Sequence, residues 1–183
     1  ATVEVLQNST TVSFSRNDVE TTPGRVFLVG GAGSSFTVAD NIVMQHSPVT
    51  GLEIRSVSTA SVTGNTFTGV GTPTFIATAL SLFTLGRHMT IAVSGNTFSG
   101  YERALSIRDT VAGAGFDATI SDNVFDFTID EAPKVAELIN VRDAIDARNN
   151  QWGSNTDLAT VESFVSIFND KGGKILLDPI TQP

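Results

Sequence analysis

The sequence predicts an all-β fold in which short strands wind into about six stacked coils, with an amphipathic helix at the C-terminal end. Three observations support this prediction. An asparagine-centred phrase recurs along the chain, short stretches of alternating apolar and polar residues precede each copy, and an apolar helical stripe follows the last copy. Repeats of roughly 20–50 residues are typical of solenoids, in which each unit packs only against its neighbours.

The repeat is clearest in two similar segments, "VTGNTFTG" from Val62 and "VSGNTFSG" from Val93. In every copy, an asparagine is followed two residues later by a large apolar residue. The six asparagines, spaced by 24, 24, 31, 27 and 27 residues, are Asn17, Asn41, Asn65, Asn96, Asn123 and Asn150. The last four copies carry the aromatic residues Phe67, Phe98, Phe125 and Trp152.

Asparagine suits a bend between two strands for two physical reasons. It adopts the left-handed backbone conformation at a lower cost than most residues that have a Cβ atom. Its amide can also bond to the equivalent amide of the next coil and so form a ladder. The large residue two positions later would stack on its counterparts and fill a narrow core. We therefore interpret the asparagine ladder and the aromatic stack as structural.

A strand precedes each asparagine, with apolar residues at three and five positions upstream, such as Val62 and Ala60 before Asn65. The residues between them are small or polar, and this period of two indicates a strand with one buried face. A further strand follows in most repeats, as in "GRVFLVG" from Gly24, "GLEIRS" from Gly51, "SLFTLGR" from Ser81, "ALSIRD" from Ala104 and "ELINVRD" from Glu137. Residues 1–153 are therefore predicted to form the coils.

Residues 154–183 are predicted to close the C-terminal end of the same domain. The segment "TDLATVESFVSIFNDKGG" can place apolar residues on one helical face, namely Leu158, Val161, Phe164, Val165, Ile167 and Phe168. Thr156 or Asp157 would cap the start of this helix, and Gly172 or Gly173 would end it. A final strand is expected at Lys174–Leu177. Such a lid would protect the unpaired strand edges that the end of a solenoid exposes.

The opposite end has no comparable cap, because "TVEVL" already has the pattern of a strand. We expect upstream β-helix coils, or another chain, to cover that edge. The chain would then be the C-terminal part of a longer β-helix.

Composition narrows the choice of partners. Eleven Lys and Arg residues against nineteen Asp and Glu residues give a formal charge of −8, which argues against nucleic acid as the main partner. There is no cysteine, so disulfides and thiolate metal sites are excluded. No apolar run approaches the roughly 18 residues of a membrane-spanning helix, and no membrane span is therefore expected.

Taken together, the coils resemble those of the pectate-lyase-like superfamily. The segments "VTGNTFTG", "VSGNTFSG" and "ISDNVFDF" are similar to its asparagine-ladder coils, and "ARNNQWGS" followed by "KILLDPI" resembles the C-terminal end of bacterial surface β-helix proteins. The resemblance covers about residues 10–180. It implies a right-handed parallel β-helix in a bacterial surface or secreted protein, and hence an extracellular or cell-surface location.

The superfamily contains lyases, hydrolases and adhesins, so the resemblance does not specify one activity. We expect a non-catalytic module, which would be a structural stalk, an adhesin or a carbohydrate-contacting β-helix. The alternative is the C-terminal part of a polysaccharide lyase or glycoside hydrolase. No cofactor is expected for the first, whereas Ca²⁺ would accompany the second.

Candidate catalytic residues follow from one alignment of the second strands. If Ile54, Leu85, Ile107 and Val141 point inward, then Arg108 and Arg142 lie on neighbouring coils, beside Asp109 and Asp143. An Arg/Asp face of this kind could bind sugar carboxylates or hydroxyls through paired hydrogen bonds. The alternative is a set of surface ion pairs, each worth little free energy. Neither these residues nor the two histidines have the spacing of a metal site.

Candidate carbohydrate-binding residues are Tyr101, in the loop "SGYERA", together with Arg55 and Arg87. A further surface is a strip of small residues beside the inward positions of the first strands, at Ser13/Ser15, Thr37/Ala39, Ser61/Thr63, Ala92/Ser94 and Thr119/Ser121. It could be plain solvent-facing sheet, an oligomerising face or an ice-binding face.

Overall fold

In a computed structural model the chain forms an all-β parallel solenoid with one short helix near the C-terminus. The structure describes residues 3–6, 8–21, 27–70, 77–110, 115–126, 134–154, 157–168 and 170–180. Some predictions touch residues outside these ranges, namely Thr156 as a helix cap, Asn169 within the predicted helical segment, Thr2 as the start of the first strand and residues 24–26 as the start of another.

The first nine strands are Val3–Leu6 (β1), Thr11–Ser15 (β2), Asp18–Thr21 (β3), Phe27–Gly30 (β4), Ser35–Ala39 (β5), Ile42–Gln45 (β6), Leu52–Arg55 (β7), Thr59–Thr63 (β8) and Thr66–Thr68 (β9). The next nine strands are Thr78–Thr84 (β10), Met89–Ser94 (β11), Thr97–Ser99 (β12), Arg103–Asp109 (β13), Phe116–Ser121 (β14), Val124–Asp126 (β15), Lys134–Ile139 (β16), Ala144–Asp146 (β17) and Gln151–Trp152 (β18). Helix α1 (Leu158–Ser163) and the strands Val165–Phe168 (β19) and Lys174–Leu176 (β20) follow.

These strands build three parallel sheets along the solenoid. Sheet A has the order β1-β4-β7-β10-β13-β16-β19, sheet B the order β2-β5-β8-β11-β14-β17-β20, and sheet C the order β3-β6-β9-β12-β15-β18. The six ladder asparagines mark the ends of complete turns, so they enclose about five turns. The predicted fold class is confirmed, with a coil count slightly below the predicted six.

The asparagine ladder runs along the bend between sheets B and C. In each step the backbone N–H and the side-chain amide of one asparagine donate to Oδ1 of the next, at distances from 2.8 to 3.0 Å. From Asn41 onward the ladder residues are at most 1% exposed. The left-handed residue is the one before each asparagine, for example Asp40 with φ of 55° and Gly95 with φ of 65°. The preceding residue thus makes the bend, and the asparagine makes the hydrogen bonds of the ladder.

The aromatic stack lies inside sheet C, as predicted. The ring centroids of Phe67 and Phe98 are 5.0 Å apart, those of Phe98 and Phe125 are 5.1 Å apart, and those of Phe125 and Trp152 are 4.8 Å apart. Neighbouring ring planes differ by at most 8°. These separations follow the spacing of parallel strands, about 4.8 Å, because each ring is attached to one coil.

The C-terminal segment differs from the prediction of one long amphipathic helix. Helix α1 ends at Ser163, and the next residues form β19, which pairs with β16 so that Leu138 lies opposite Ile167. The sequence "VSIF" is rich in β-branched and aromatic residues, which favour a strand when a pairing edge is available. Asp157 caps α1 by accepting a hydrogen bond from the backbone N–H of Thr160 at 3.0 Å. Strand β20 forms at the predicted place, one residue shorter.

Tyr101 lies in the core, and its predicted position on an exposed loop is wrong. The side chain is 2% exposed, and its hydroxyl donates a hydrogen bond to Oε1 of Gln45 at 2.5 Å. Burial raises the pKa of the Tyr101 hydroxyl above its usual range. A Cβ atom at Gly69 would lie 2.7 Å from the ring, and one at Gly51 would lie 2.8 Å from the hydroxyl. Glycine at these corners therefore makes room for the tyrosine.

We expect Tyr101→Phe to lower the free energy of unfolding by about 1 kcal/mol, because it removes one buried hydrogen bond and leaves Oε1 of Gln45 without this donor. Chemical denaturation of both proteins measures the difference. In a double-mutant cycle with Gln45→Met, the two changes should cost less together than the sum of the single costs. Additive costs would show that the two side chains do not interact.

Candidate functional site

The pairing of sheet A decides which side chains share its outer face. The inward residues of four neighbouring strands are Ile54, Leu82, Ile107 and Leu138. The predicted alignment used Leu85 and Val141 instead and is wrong for both. Leu82 and Leu85 are three residues apart, and an odd separation puts them on opposite faces of an extended strand. Leu80 and Leu82 supply two buried positions, whereas Leu85 is 54% exposed beyond the end of β10.

The corrected alignment separates the four residues that were predicted to form an Arg/Asp face. Arg108 is on the outer face of β13, opposite Phe83 and Ile139. Arg142 is exposed beyond the end of β16, so it does not stack on Arg108.

The two aspartates of the predicted face have separate hydrogen-bonding partners. Asp109 is 3% exposed and accepts a hydrogen bond from the hydroxyl of Thr84 at 2.8 Å. Asp143 accepts one from the backbone N–H of Phe116 at 2.8 Å. Both carboxylates therefore stabilise corners of the coil.

A shallow groove of about 240 Å³ lies on the outer face of sheet A. Two columns of side chains line it, and the residues are Glu53, Ser81 and Ser106 in one column, and Arg55, Phe83 and Arg108 in the other. The two serines are small, so the first column leaves a depression beside the larger side chains of the second. Strands β7, β10 and β13 therefore each contribute two residues.

Phe83 lies between two guanidinium groups. The Cζ atom of Arg55 is 5.4 Å from the centroid of its ring, and the Cζ atom of Arg108 is 5.9 Å from it. Both distances are within the range of a cation–π interaction. Phe83 is half-buried and Arg108 is exposed, so part of an aromatic ring and a cation are both accessible to a ligand.

Carboxylates within the chain already pair with two of the three arginines near the groove. The Nε–H of Arg55 donates to Glu53, and the Nη1–H of Arg103 donates to Oε2 of Glu137 at 2.7 Å. Burial lowers the pKa of Arg103; the charge of Glu137 raises it and that of Arg108 lowers it. Within the part of the chain that the structure describes, no ion pair involves Arg108.

Among the described residues that line the groove, one carries a carboxylate, namely Glu53. Glu137 lies three strand steps away in the same column and pairs with Arg103. A typical glycoside hydrolase uses two carboxyl groups, roughly 5–9.5 Å apart. Among the described residues, no three His, Asp or Glu side chains are grouped so that they could hold a metal ion.

Arg87, the remaining predicted carbohydrate contact, is exposed in the turn after β10 and does not line the groove. Arg55 does line it. Phe83 was missed by the sequence-based prediction. With Leu85 taken as the inward residue, the residue that follows it, Gly86, falls beside Arg55 and Arg108 in place of Phe83. The pair Leu80 and Leu82, matched to Leu105 and Ile107, is the signal that could have revealed it.

The small-residue strip lies on the outer face of sheet B in the predicted register. Ser13 pairs with Thr37, Thr37 with Ser61, Ser61 with Ala92, and Ala92 with Thr119. The strip ends at Asp146, whose carboxylate accepts hydrogen bonds from Arg148 at 2.7 and 2.8 Å. These bonds lower the pKa of Asp146.

Comparisons of the chain with protein-family models, with curated proteins and with solved structures find no match. The parallel β-solenoid is thus established by the strand pairing alone. No helix among the described residues has the length and the apolar composition needed to cross a membrane.

Proposed function

We propose that this chain is a non-catalytic β-helix module of a bacterial surface or secreted protein, an adhesin or stalk that contacts carbohydrate through the groove on sheet A. The observation that supports this proposal is the position of Phe83 between Arg55 and Arg108. Related proteins are expected in the pectate-lyase-like superfamily, whose repeat the asparagine coils resemble. The expected location is extracellular or at the cell surface.

The groove offers the chemical groups that a sugar ring needs. The exposed part of the Phe83 ring provides an apolar surface that the C–H groups of a sugar can contact. Guanidinium groups donate several hydrogen bonds in a fixed plane and can pair with carboxylates or hydroxyls. The hydroxyls of Ser81 and Ser106 line the adjacent column of the groove. A few polar groups around an apolar surface are typical of ligand sites.

The alternative function is the C-terminal part of a polysaccharide lyase or glycoside hydrolase, with Ca²⁺ if it is enzymatic. The single carboxylate among the described residues that line the groove, Glu53, favours binding over hydrolysis, because a typical glycoside hydrolase needs two. A lyase would need a base beside the bound sugar, and the guanidinium group of arginine is not deprotonated in proteins. We therefore treat the enzyme as an outcome to be tested.

Affinity electrophoresis of the whole chain in gels containing neutral or acidic polysaccharides tests the proposal. At least one polysaccharide should retard the protein, and Phe83→Ala should weaken that interaction about tenfold, since contacts with an aromatic ring contribute on the order of 1.4 kcal/mol. Phe168→Ala is the matched control, because Phe168 is 51% exposed and belongs to the same outward column of sheet A.

Three outcomes would contradict the proposal. If none of the polysaccharides retards the protein, the chain does not bind carbohydrate. If Phe83→Ala and Phe168→Ala weaken binding equally, the binding site lies outside the groove. Release of reducing or unsaturated ends from any polysaccharide would favour the lyase or hydrolase alternative instead.

A further inference from the structure

We infer that the groove on sheet A takes a sugar ring with one acidic group, and that this group pairs with Arg108 while Glu53 already occupies Arg55. This inference rests on the proposed carbohydrate-binding function and adds the charge and the orientation of the ligand. It follows from a comparison of the guanidinium groups at the groove: that of Arg55 is already paired with a carboxylate of the chain, and that of Arg108 is not, among the described residues.

Glu53 acts as an internal partner for Arg55. Its side chain is 8% exposed, the side chain of Arg55 is 34% exposed, and the two are joined by a hydrogen bond. Removing a buried carboxylate from a guanidinium is unfavourable, because neither charge is well solvated after separation. A ligand carboxylate therefore leaves Glu53 in place, and the Arg55–Glu53 pair instead offers donors and an acceptor to sugar hydroxyls.

Arg108 has the opposite character. It is exposed, it contacts the ring of Phe83, and among the described residues it has no ion pair. The nearby Arg103 is already paired with Glu137. With two guanidinium groups and one carboxylate, the groove has a formal charge of +1 within a chain whose charge is −8. One anion at Arg108 would neutralise it.

The size and the order of the side chains fit one ring. The volume of about 240 Å³ is below the roughly 300–1,000 Å³ of pockets that hold drug-sized ligands. Along the column, Phe83 lies between the Arg55–Glu53 pair and Arg108. A pyranose that contacts the exposed part of the Phe83 ring would then direct its hydroxyls to one end and its acidic group to the other. A uronic acid and a sulfated hexose share this chemistry.

Binding is measured by affinity electrophoresis of the whole chain with two matched pairs of probes. Polygalacturonate and its fully methyl-esterified form differ in the free carboxylate, and dextran sulfate and dextran differ in the sulfate. We expect at least one acidic probe to bind more tightly than its neutral form. Arg108→Gln should weaken binding of that probe about tenfold or more, since a hydrogen bond to a charged group contributes about 1.5–3 kcal/mol. The pair that shows the preference identifies the acid.

Glu53→Gln supplies a test in which tighter binding is expected, and a misfolded variant would not show tighter binding. Freeing Arg55 creates a second cation in the groove, so binding of the acidic probe should become several-fold tighter and more sensitive to salt. Arg142→Gln is the matched control for Arg108→Gln, because it removes an exposed charge of the same type outside the groove.

The inference is overturned if acidic and neutral forms bind equally, if Arg142→Gln weakens binding as much as Arg108→Gln, or if Glu53→Gln binds no more tightly than the original chain. In each of these cases carbohydrate binding itself still stands. If no polysaccharide of either pair binds, the proposed function fails and this inference fails with it.

Discussion

Replacing Phe98 with alanine should destabilise the protein by about 3–5 kcal/mol, the range measured when large buried side chains are truncated. Phe98 is 1% exposed and stacks on Phe67 and on Phe125. Alanine would leave a cavity between two rings that the adjacent coils keep apart, so the site cannot collapse easily. Thermal and urea unfolding measure the effect.

Thr97→Ala is the control for Phe98→Ala, because Thr97 is the neighbouring residue of β12 and is only half-buried. It should change the free energy of unfolding by less than about 1 kcal/mol. If the two variants unfold at similar denaturant concentrations, the aromatic column is not the core of sheet C.

Replacing Asn96 with alanine should cost about 1–3 kcal/mol, because it removes several buried hydrogen bonds at once. Its Oδ1 accepts from the backbone N–H and the amide of Asn65, at 2.9 and 2.8 Å. Its amide donates to the carbonyl of Val62 and to Oδ1 of Asn123, both at 2.9 Å. Alanine would leave the buried N–H of Asn65 and the carbonyl of Val62 without these partners. Denaturation is again the measurement.

Asn17→Ala is the control for Asn96→Ala. Asn17 is the first residue of the ladder and is half-buried, so water can replace some of the hydrogen bonds that its side chain makes. Asn17→Ala should therefore lower the free energy of unfolding by clearly less than Asn96→Ala does. If the two substitutions lower it equally, burial does not determine how much a ladder asparagine contributes.

The repeat made the B and C sheets predictable. Each coil has an asparagine at the same bend, and counting back from it assigns residues such as Val62 and Val93 to the core, where both are fully buried. Hydrogen bonding between identical amides requires identical positions, so the register of these two sheets follows from the sequence. The small-residue strip on sheet B was placed correctly for the same reason.

Sheet A has no such marker, and its register could not be obtained in the same way. Leu82 and Leu85 are both apolar, and only the pairing with β7 and β13 selects Leu82 as inward. The groove depends on that choice, so Phe83 and its two arginines were not foreseen as a group. Tyr101 was misplaced because its partner, Gln45, is 56 residues away.

The end of the helix was also decided by tertiary pairing. The segment from Val165 to Phe168 has an apolar pattern that is compatible with either a helix or a strand, and the free edge of β16 selects the strand. Local propensity is a weak guide where a sheet edge is available.

The central claim is that Phe83 lies opposite Arg108 and so completes the groove. The chain contains no cysteine, which allows a direct measurement by disulfide formation. Paired residues of adjacent strands lie about 4.8 Å apart, within the Cα–Cα range of a disulfide, about 4.4–6.8 Å. Phe83→Cys combined with Arg108→Cys should form a disulfide under mild oxidation, as counted by mass spectrometry. If Gly86→Cys combined with Arg108→Cys forms one instead, the register of sheet A is different and the groove does not exist.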